Sequence, residues 1–255
     1  MIRVRKFLPT LFTPKYGFES LDHLVRVREA HQKGILPQKI YDLIVKRFPL
    51  VTEGIDRIEK ASGTQYPISY VEPSTIVTSS PEMSFQYGIL FARTLPVFFE
   101  EKFQVVIQIS APLVAFGLKG TIHAILAHEF LHYLELIRKI STMEIVSDQI
   151  TSNLFESVYA DSERLFEPRA VFDDKTLLTH ITKKFPTGFK DYKLEDKTEK
   201  LWISKHLPVT NISLDENTVK LSAEQLAKVT LDQSILLKLK EYEERESKLR
   251  KKKLY

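Results

Sequence analysis

The sequence predicts an α+β fold in which a small mixed sheet follows a helical N-terminal segment and precedes further helices. Three observations support this prediction. Apolar residues recur at helical spacing over residues 20–62, short β-branched and aromatic runs occupy residues 66–110, and helical spacing returns from residue 175 onward. With 255 residues and 43% hydrophobic content, the chain is long enough to bury a substantial core.

The composition divides the chain into three segments, with boundaries near residues 65 and 170. We expect a helical N-terminal segment (1–65), a central segment with the sheet and the longest apolar helix (66–170), and a helical C-terminal segment (171–255). The sequence has no internal repeat or low-complexity linker that would mark a sharper boundary, so the three segments can also form one compact unit.

The N-terminal segment contains three predicted helices, each with a start or stop signal. Ser20 caps the first, a proline opens the second, and Gly34 and Gly63 follow the first and the third. The helices are expected at residues 20–33, 37–48 and 52–62. Their apolar residues share one face of each helix, which predicts a helical layer in this part of the molecule.

The central segment begins with four candidate strands, which are rich in β-branched and aromatic residues and are separated by prolines and charged turns. They are expected at residues 68–71, 75–78, 87–91 and 103–110. A short loop joins the last strand to the longest apolar helix, over residues 120–137, which Thr121 can cap. The expected order is therefore strand, loop and long helix.

The long helix contains the sequence His128-Glu129-x-x-His132. At 3.6 residues per turn, His128 and His132 lie one turn apart on the same face, so their imidazoles can bind one cation. Zn²⁺ accepts neutral imidazole nitrogens at about 2.0–2.1 Å and, with a third protein ligand, leaves a fourth position for a water whose pKa falls toward about 7. Glu129, about a quarter-turn away, can then take the proton of that water.

The surroundings of this motif favour a functional site. Its neighbours in the helix are uncharged, so the three polar residues lie in a largely apolar stretch where unpaired polar groups are costly. Those neighbours are Ile125, Leu126, Ala127, Phe130, Leu131, Tyr133 and Leu134. Because the chain has no cysteine, any metal ligands must be His, Asp or Glu. The alternative is that both histidines are half-buried helix residues bonded to carboxylates and that Glu129 is solvated.

The succession of strand, loop and His-Glu-x-x-His helix resembles the zincin metallopeptidases over residues 66–167. The resemblance implies a zincin-like core: a small mixed sheet, the motif helix and a following helix that supplies another ligand. It also implies that a strand ahead of the motif helix holds an extended peptide substrate, and we expect residues 105–109 to do so. Metzincins need a Gly and a third His where this chain has Glu135 and Arg138, so the resemblance is to the gluzincin, or thermolysin-like, branch.

In gluzincins the third ligand is a Glu on a following helix, and the helix predicted over residues 148–167 supplies the candidates. Glu156 follows His132 by 24 positions (156 − 132), a spacing that suits a second helix returning antiparallel after a short turn. We therefore expect His128, His132 and Glu156 to bind Zn²⁺. The alternatives that stay open are Glu163, Asp148, Asp161 and Glu144 as ligands, or a solvated acidic stripe without a ligand role.

Other features of the gluzincins are matched only in part. Residues 156–161 look like the Glu-x-x-Ala-Asp signature of integral-membrane gluzincins, but the Glu comes one residue too early. Ala160 occupies the position of the carboxylate that orients a ligand histidine, so Asp161 or Glu163 would have to replace it. The resemblance also implies a side chain that stabilises an oxyanion, and the candidates are Tyr159, His180 and His206.

Two other conspicuous residues are interpreted as structural. His123 lies five positions before His128 on another helix face and is expected to be packed or to cap, and Trp202 is expected in the core. After residue 170, helices are predicted at residues 175–185, 192–207 and 222–254, the last opened by a capping box at Ser222 and Gln225. A loop or short strand is expected at residues 212–221.

Charge and hydropathy argue against nucleic acid and membranes as partners. The net charge is only +4, and the basic run at residues 248–253 lies at a helix C-terminus, where cations are favourable in themselves. The longest uncharged run, residues 103–118, has 16 residues (118 − 103 + 1) and is too short and too polar to span a bilayer. The N-terminus is not a convincing signal peptide, and we expect a cytoplasmic protein.

Two functions remain in competition. We expect a soluble zinc-dependent metallopeptidase that acts on peptides or proteins and uses Glu129 as its general base. The alternative is a catalytically inactive zincin-like protein that binds a partner. A di-iron bundle is excluded because it needs the Glu-x-x-His motif twice, and the chain has it once, at Glu129 and His132.

Overall fold

The computed structural model of the chain describes residues 22–79, 87–99, 102–142, 165–186, 188–213 and 229–253. Two small mixed sheets and several helices make up this part of the chain, which confirms the α+β prediction. The resulting core is shared: one cluster of buried apolar residues includes Ile44, Phe130 and Tyr242, which come from the N-terminal, central and C-terminal segments respectively.

Three helices begin the described part of the chain: α1 (Val25–Gln32), α2 (Gln38–Arg47) and α3 (Pro49–Ser62). The predicted helix at 37–48 is confirmed, and α1 and α3 end where glycines were expected to stop them. Gly34 and Gly63 both have φ +70°, a left-handed conformation that glycine adopts without steric cost. Helix α3 begins at Pro49, three residues earlier than predicted, because proline suits the first turn of a helix. Ser20 lies outside the described residues, but α1 begins at Val25, so the helix predicted at 20–33 is wrong over residues 22–24.

The first sheet consists of β1 (Ile68–Glu72), β5 (Lys102–Ser110) and β4 (Ala92–Phe99), in that order. Strand β1 runs parallel to β5, with Val71 opposite Ile109, and β4 runs antiparallel to β5, with Thr94 opposite Ile107. The second sheet has the order β3 (Tyr87–Leu90), β2 (Thr75–Ser79) and β6 (Val209–Ser213).

Two strand predictions are corrected by this topology. The sequence predicts a single strand at residues 87–91, whereas the chain forms β3, passes Phe91 and continues into the separate strand β4. Residues 105–109 were expected to hold a peptide, but β5 is the central strand and has β1 and β4 on its two sides. Strand β4 lies at the edge of its sheet, which is where a strand can contain a proline such as Pro96.

Helix α4 (Ala111–Phe116) leads from β5 to α5 (Lys119–Ser141), the long helix that carries the His-Glu-x-x-His motif. Most of α5 is buried against α3, β4 and the C-terminal segment. Gly54 of α3 lets the two helices approach, since a Cβ there would lie 2.9 Å from both the His123 ring and Leu126 Cδ1. His123 is fully buried with its Nε2 3.1 Å from the Leu50 carbonyl oxygen, so the prediction of a packed histidine is confirmed.

Four helices and a 3₁₀ turn complete the described chain: α6 (Pro168–Val171), α7 (Lys175–Lys184), α8 (Tyr192–Leu201), the turn at Ile203–Lys205, and α9 (Gln233–Lys253). The helix predicted at 192–207 is too long, because His206 adopts a left-handed conformation and ends the 3₁₀ turn. The helix predicted from residue 222 is wrong over residues 229–232, and its capping box lies outside the described residues. Trp202 is fully buried as predicted.

Among the described helices, none combines the length and the apolar character that a membrane-spanning helix needs.

An ion pair between α3 and the start of α7 gives the fold a pH dependence. Arg57 donates from Nε and Nη2 to the two carboxylate oxygens of Asp174, at 2.6 and 2.7 Å, and Asp174 also caps α7 by accepting from the Leu177 amide. The hydrogen bonds from Arg57 lower the pKa of Asp174 from 3.8 to about 2. The folded pKa lies below the unfolded value, so the stabilisation is complete above pH 4 and is lost as the pH falls toward 2.

We expect Asp174→Asn to remove this dependence while it retains an N-cap residue. Because both side chains are partly exposed, the difference is about 1 kcal/mol. The free energy of unfolding in urea, measured at pH 6 and pH 2.5, should fall by about that much more in the wild type than in the variant. Equal losses in the two proteins would contradict the role of this ion pair.

Candidate metal centre

Helix α5 brings His128 and His132 together as the motif predicts. Their Nε2 atoms lie 3.1 Å apart, and their rings are nearly perpendicular, with an interplanar angle of 88°. Both rings are half-buried and Glu129 between them in sequence is buried. The three residues are therefore placed on one helix with the two imidazole nitrogens converging.

The separation of the two nitrogens fits a shared metal ion. Two ligands that each lie about 2.0–2.1 Å from a tetrahedral zinc are about 3.3 Å from one another. The observed 3.1 Å is close to that value. It also suits a hydrogen bond in which one ring donates an N–H to the other, so the pair can hold one proton or, once both nitrogens are deprotonated, a cation in its place.

The environment of His128 favours the neutral imidazole that binds metals. Burial, together with the charge of His132, lowers the pKa of His128 well below its usual value of 6.5. The ring of Phe185, at the C-terminal end of α7, stacks on the His128 ring with their centroids 3.9 Å apart and an angle of 13°. Phe185 in turn contacts Phe189, which contacts Phe91 between β3 and β4.

Glu129 extends from α5 toward the edge strand β4. Its side chain is only 8% exposed, and Thr94 Oγ1 lies 2.8 Å from the carboxylate oxygen Oε2 and 3.0 Å from the backbone oxygen of Glu129. Tyr66 is also close: burial, and next the charge of Glu129, raises the pKa of its hydroxyl well above 10. The carboxylate is therefore held between the motif helix and the strand that borders the sheet.

The third predicted ligand, Glu156, lies outside the described residues, as do the alternatives Glu163, Asp161, Asp148 and Glu144. Within the ranges that the structure describes, no group of three His, Asp or Glu residues could hold a metal ion. Glu135, one turn beyond His132, is buried but paired with Arg138 and Lys139.

Of the candidates for oxyanion stabilisation, His180 is not brought to the histidine pair. His180 packs against Gly120, where a Cβ would lie 2.8 Å from its ring. Gly120 precedes His128 by eight residues, which is about 12 Å along a helix. His206 is exposed at the end of the 3₁₀ turn, and Tyr159 lies outside the described residues.

Two residues that the sequence analysis did not single out contact the motif: Thr94 and Phe185. Thr94 lies on a strand that was not predicted, so nothing in the sequence marked it. Phe185 was recognised only as the end of a helix, and its contact with His128 joins residues 57 positions apart (185 − 128). Both contacts depend on how α5, α7 and β4 pack.

Comparison of the chain with protein-family models, with curated proteins and with solved structures gave no match. What defines the site is therefore its own geometry: a converging histidine pair and a buried glutamate on one helix, beside the edge strand of a small sheet.

Proposed function

We propose that this protein is a zinc-dependent metallopeptidase with a zincin-like core of the gluzincin type. The observation that carries the proposal is the 3.1 Å separation of His128 and His132 Nε2, with Glu129 buried one residue along the same helix. In this proposal the first sheet and α5 form the core, and the ligand helix corresponds to the sequence at residues 148–167.

His128 and His132 would hold the zinc, together with a carboxylate that the sequence places at Glu156. Bound there, the ion would polarise the scissile carbonyl and make water more acidic. Glu129 takes a proton from the attacking water as the water oxygen bonds to the carbonyl carbon. It returns that proton to the amine nitrogen as the C–N bond breaks, so the reaction consumes one water for each peptide bond.

The position of β4 supports an extended peptide as the substrate. In the part of the chain that the structure describes, β4 pairs with β5 on one side and with no strand on the other. An edge strand offers unpaired N–H and C=O groups to an added strand, so the peptide backbone can be bound with little regard to its side chains. Thr94 links this strand directly to Glu129. Hydrolysis of a peptide library by zinc-loaded wild type and Glu129→Gln tests the proposal.

Thr94 is expected to position the general base. Thr94→Val removes the hydroxyl at nearly constant volume, so the Glu129 carboxylate loses a hydrogen bond of 2.8 Å. Because hydrogen bonds to charged groups contribute about 1.5–3 kcal/mol, kcat/KM should fall about tenfold or more. Zinc content should not change, since Thr94 contacts Glu129 and is not expected to bind the metal. Thr94→Ser keeps the donor and should retain most activity; equal losses in Val and Ser variants would contradict the hydrogen-bond role.

A further inference from the structure

One face of the His128 ring is covered by Phe185. The two rings are nearly parallel, at 13°, with centroids 3.9 Å apart, whereas the His132 ring meets His128 edge-on at Nε2. A nitrogen lone pair of imidazole lies in the ring plane, so a ring stacked on the face does not block it. Phe185 therefore restricts how the imidazole can rotate and leaves its metal-binding edge open.

Histidines that bind metals are usually oriented by a hydrogen bond from the second ring nitrogen to a carboxylate or carbonyl. Among the described residues, the His128 ring has two partners, His132 and Phe185, and neither of them is such an acceptor for its Nδ1. The sequence also lacks a carboxylate at the position where the gluzincin pattern expects one, since Ala160 is there. Among the described residues, the contact that can orient His128 is thus an aromatic one, with Phe185.

Phe185 is itself held in place by the loop that follows α7. Its amide donates to the Ile181 carbonyl at 2.8 Å, and the Lys190 amide donates to the Lys184 carbonyl at 2.7 Å, which closes the loop. Lys184 forms an ion pair with the buried Asp191.

The same loop is fastened to α5 at a second point. Thr121 donates its hydroxyl to Asp191 Oδ2 at 2.8 Å. Thr121 precedes His128 by seven residues, so both lie on the same face of α5, two turns apart. Phe185 at the end of α7 and Asp191 at the start of α8 thereby contact one face of α5 at two points, and these contacts restrict lateral movement of the stacked ring.

We propose that Phe185 is a positioning residue that orients His128 for zinc by face-to-face stacking, in the role that a hydrogen-bonded carboxylate has in other zinc sites. The inference rests on the proposed zinc site. It differs from that proposal in assigning a function to a residue that touches neither the metal nor the substrate.

The test measures zinc affinity by competition with a chromophoric chelator, using the full chain as wild type, Phe185→Leu, Phe185→Tyr and Phe189→Leu. Loss of an orienting partner typically weakens metal binding about 10–100-fold, so Phe185→Leu should bind zinc at least about tenfold more weakly. Phe185→Tyr keeps the flat ring and should stay within about threefold of the wild type. Phe189→Leu removes an aromatic ring that contacts Phe185 but has no ring contact with His128, and it should also stay within about threefold.

The outcomes separate the two proposals. A wild type that binds no zinc overturns the proposed function. If the wild type binds zinc and Phe185→Leu binds it with the same affinity, the role of Phe185 alone is overturned. If Phe189→Leu loses as much zinc affinity as Phe185→Leu, the loss indicates general repacking, and the role of Phe185 is overturned as well. If Phe185→Leu lacks a cooperative thermal transition, Phe185→Met replaces it, because methionine fills a similar volume without a planar ring.

Discussion

Glu129→Gln is expected to keep the fold and the bound zinc while peptide hydrolysis falls at least about 10²-fold. The amide has nearly the shape of the carboxylate, and its oxygen can still accept the hydroxyl proton of Thr94, which lies 2.8 Å from Oε2 in the native side chain. The buried site is therefore filled and its hydrogen bond is kept. What the amide lacks is the basicity needed to take a proton from water.

The measurement is the initial rate of cleavage of a peptide library by zinc-loaded wild type and variant, with chelator-treated wild type as the metal-free control. Circular dichroism and zinc content establish that the two zinc-loaded proteins differ only in the base. Equal rates would refute the role of Glu129. If the wild type binds zinc and cleaves no peptide, the site is catalytically inactive on peptides, and the function as a binding protein takes the place of the proposed one.

The sequence was sufficient to predict the local part of the site, the approach of the two histidines on one helix. Residues four apart on a helix lie on the same face whatever surrounds the helix, so the approach of His128 and His132 follows from their spacing. The same holds for the glycine stops at Gly34 and Gly63, where the left-handed φ is a property of a single residue. The helical spacing of apolar residues, together with the β-branched and aromatic runs at residues 66–110, was also enough to predict an α+β fold.

The arrangement of the strands was not predicted, because it depends on pairing between distant residues. A strand with Arg93 and Pro96 does not have the continuous β-branched pattern of a central strand, and β4 was therefore missed. The resemblance to the zincins assigned the peptide to residues 105–109, whereas β5 is the central strand and β4 lies at the edge. The register of β4 with β5 places Thr94 opposite Ile107, on the sheet face that meets α5, and this brings the hydroxyl to Glu129.

The hydrogen-bond partners of polar side chains that connect two elements were also predicted wrongly from the local sequence. Thr121 was expected to cap α5, but the helix begins at Lys119, and the Thr121 hydroxyl donates to Asp191, 70 residues later. A threonine near a helix start satisfies the local rule for a cap equally well in both arrangements. Only the position of α8, whose N-terminus Asp191 caps, determines which acceptor the hydroxyl meets.

A zinc site that takes two of its ligands from one helix is open on the side away from that helix, so we expect the loss of either histidine to have a large effect on zinc binding. His128→Ala is expected to reduce bound zinc to less than about a tenth of an equivalent after zinc incubation, since a site with two nitrogen ligands on one element cannot lose one and still hold the ion. His180→Asn is the matched control. His180 is half-buried on α7 and packs against Gly120, which lies about 12 Å along α5 from the histidine pair, so the variant protein should keep its zinc.

The same measurement identifies the carboxylate that completes the site. Among the described residues no acidic side chain joins the pair, and Glu135 is already bound by Arg138 in a two-fold hydrogen bond at 2.6 and 3.0 Å. In the proposed site the third ligand comes from another element, for which the sequence gives Glu156 as the first carboxylate well inside the helix predicted at 148–167.

We expect Glu156→Ala to lose zinc as His128→Ala does, and Glu163→Ala to weaken binding by no more than the 10–100-fold typical of an orienting group. Glu163 lies seven residues beyond Glu156, about 10 Å along a helix, so both cannot reach the same ion from one position of that helix. Loss of zinc in Glu163→Ala with full binding in Glu156→Ala would therefore reassign the ligand and shift the helix by two turns along α5. Unchanged zinc content in His128→Ala would refute the proposed metal centre.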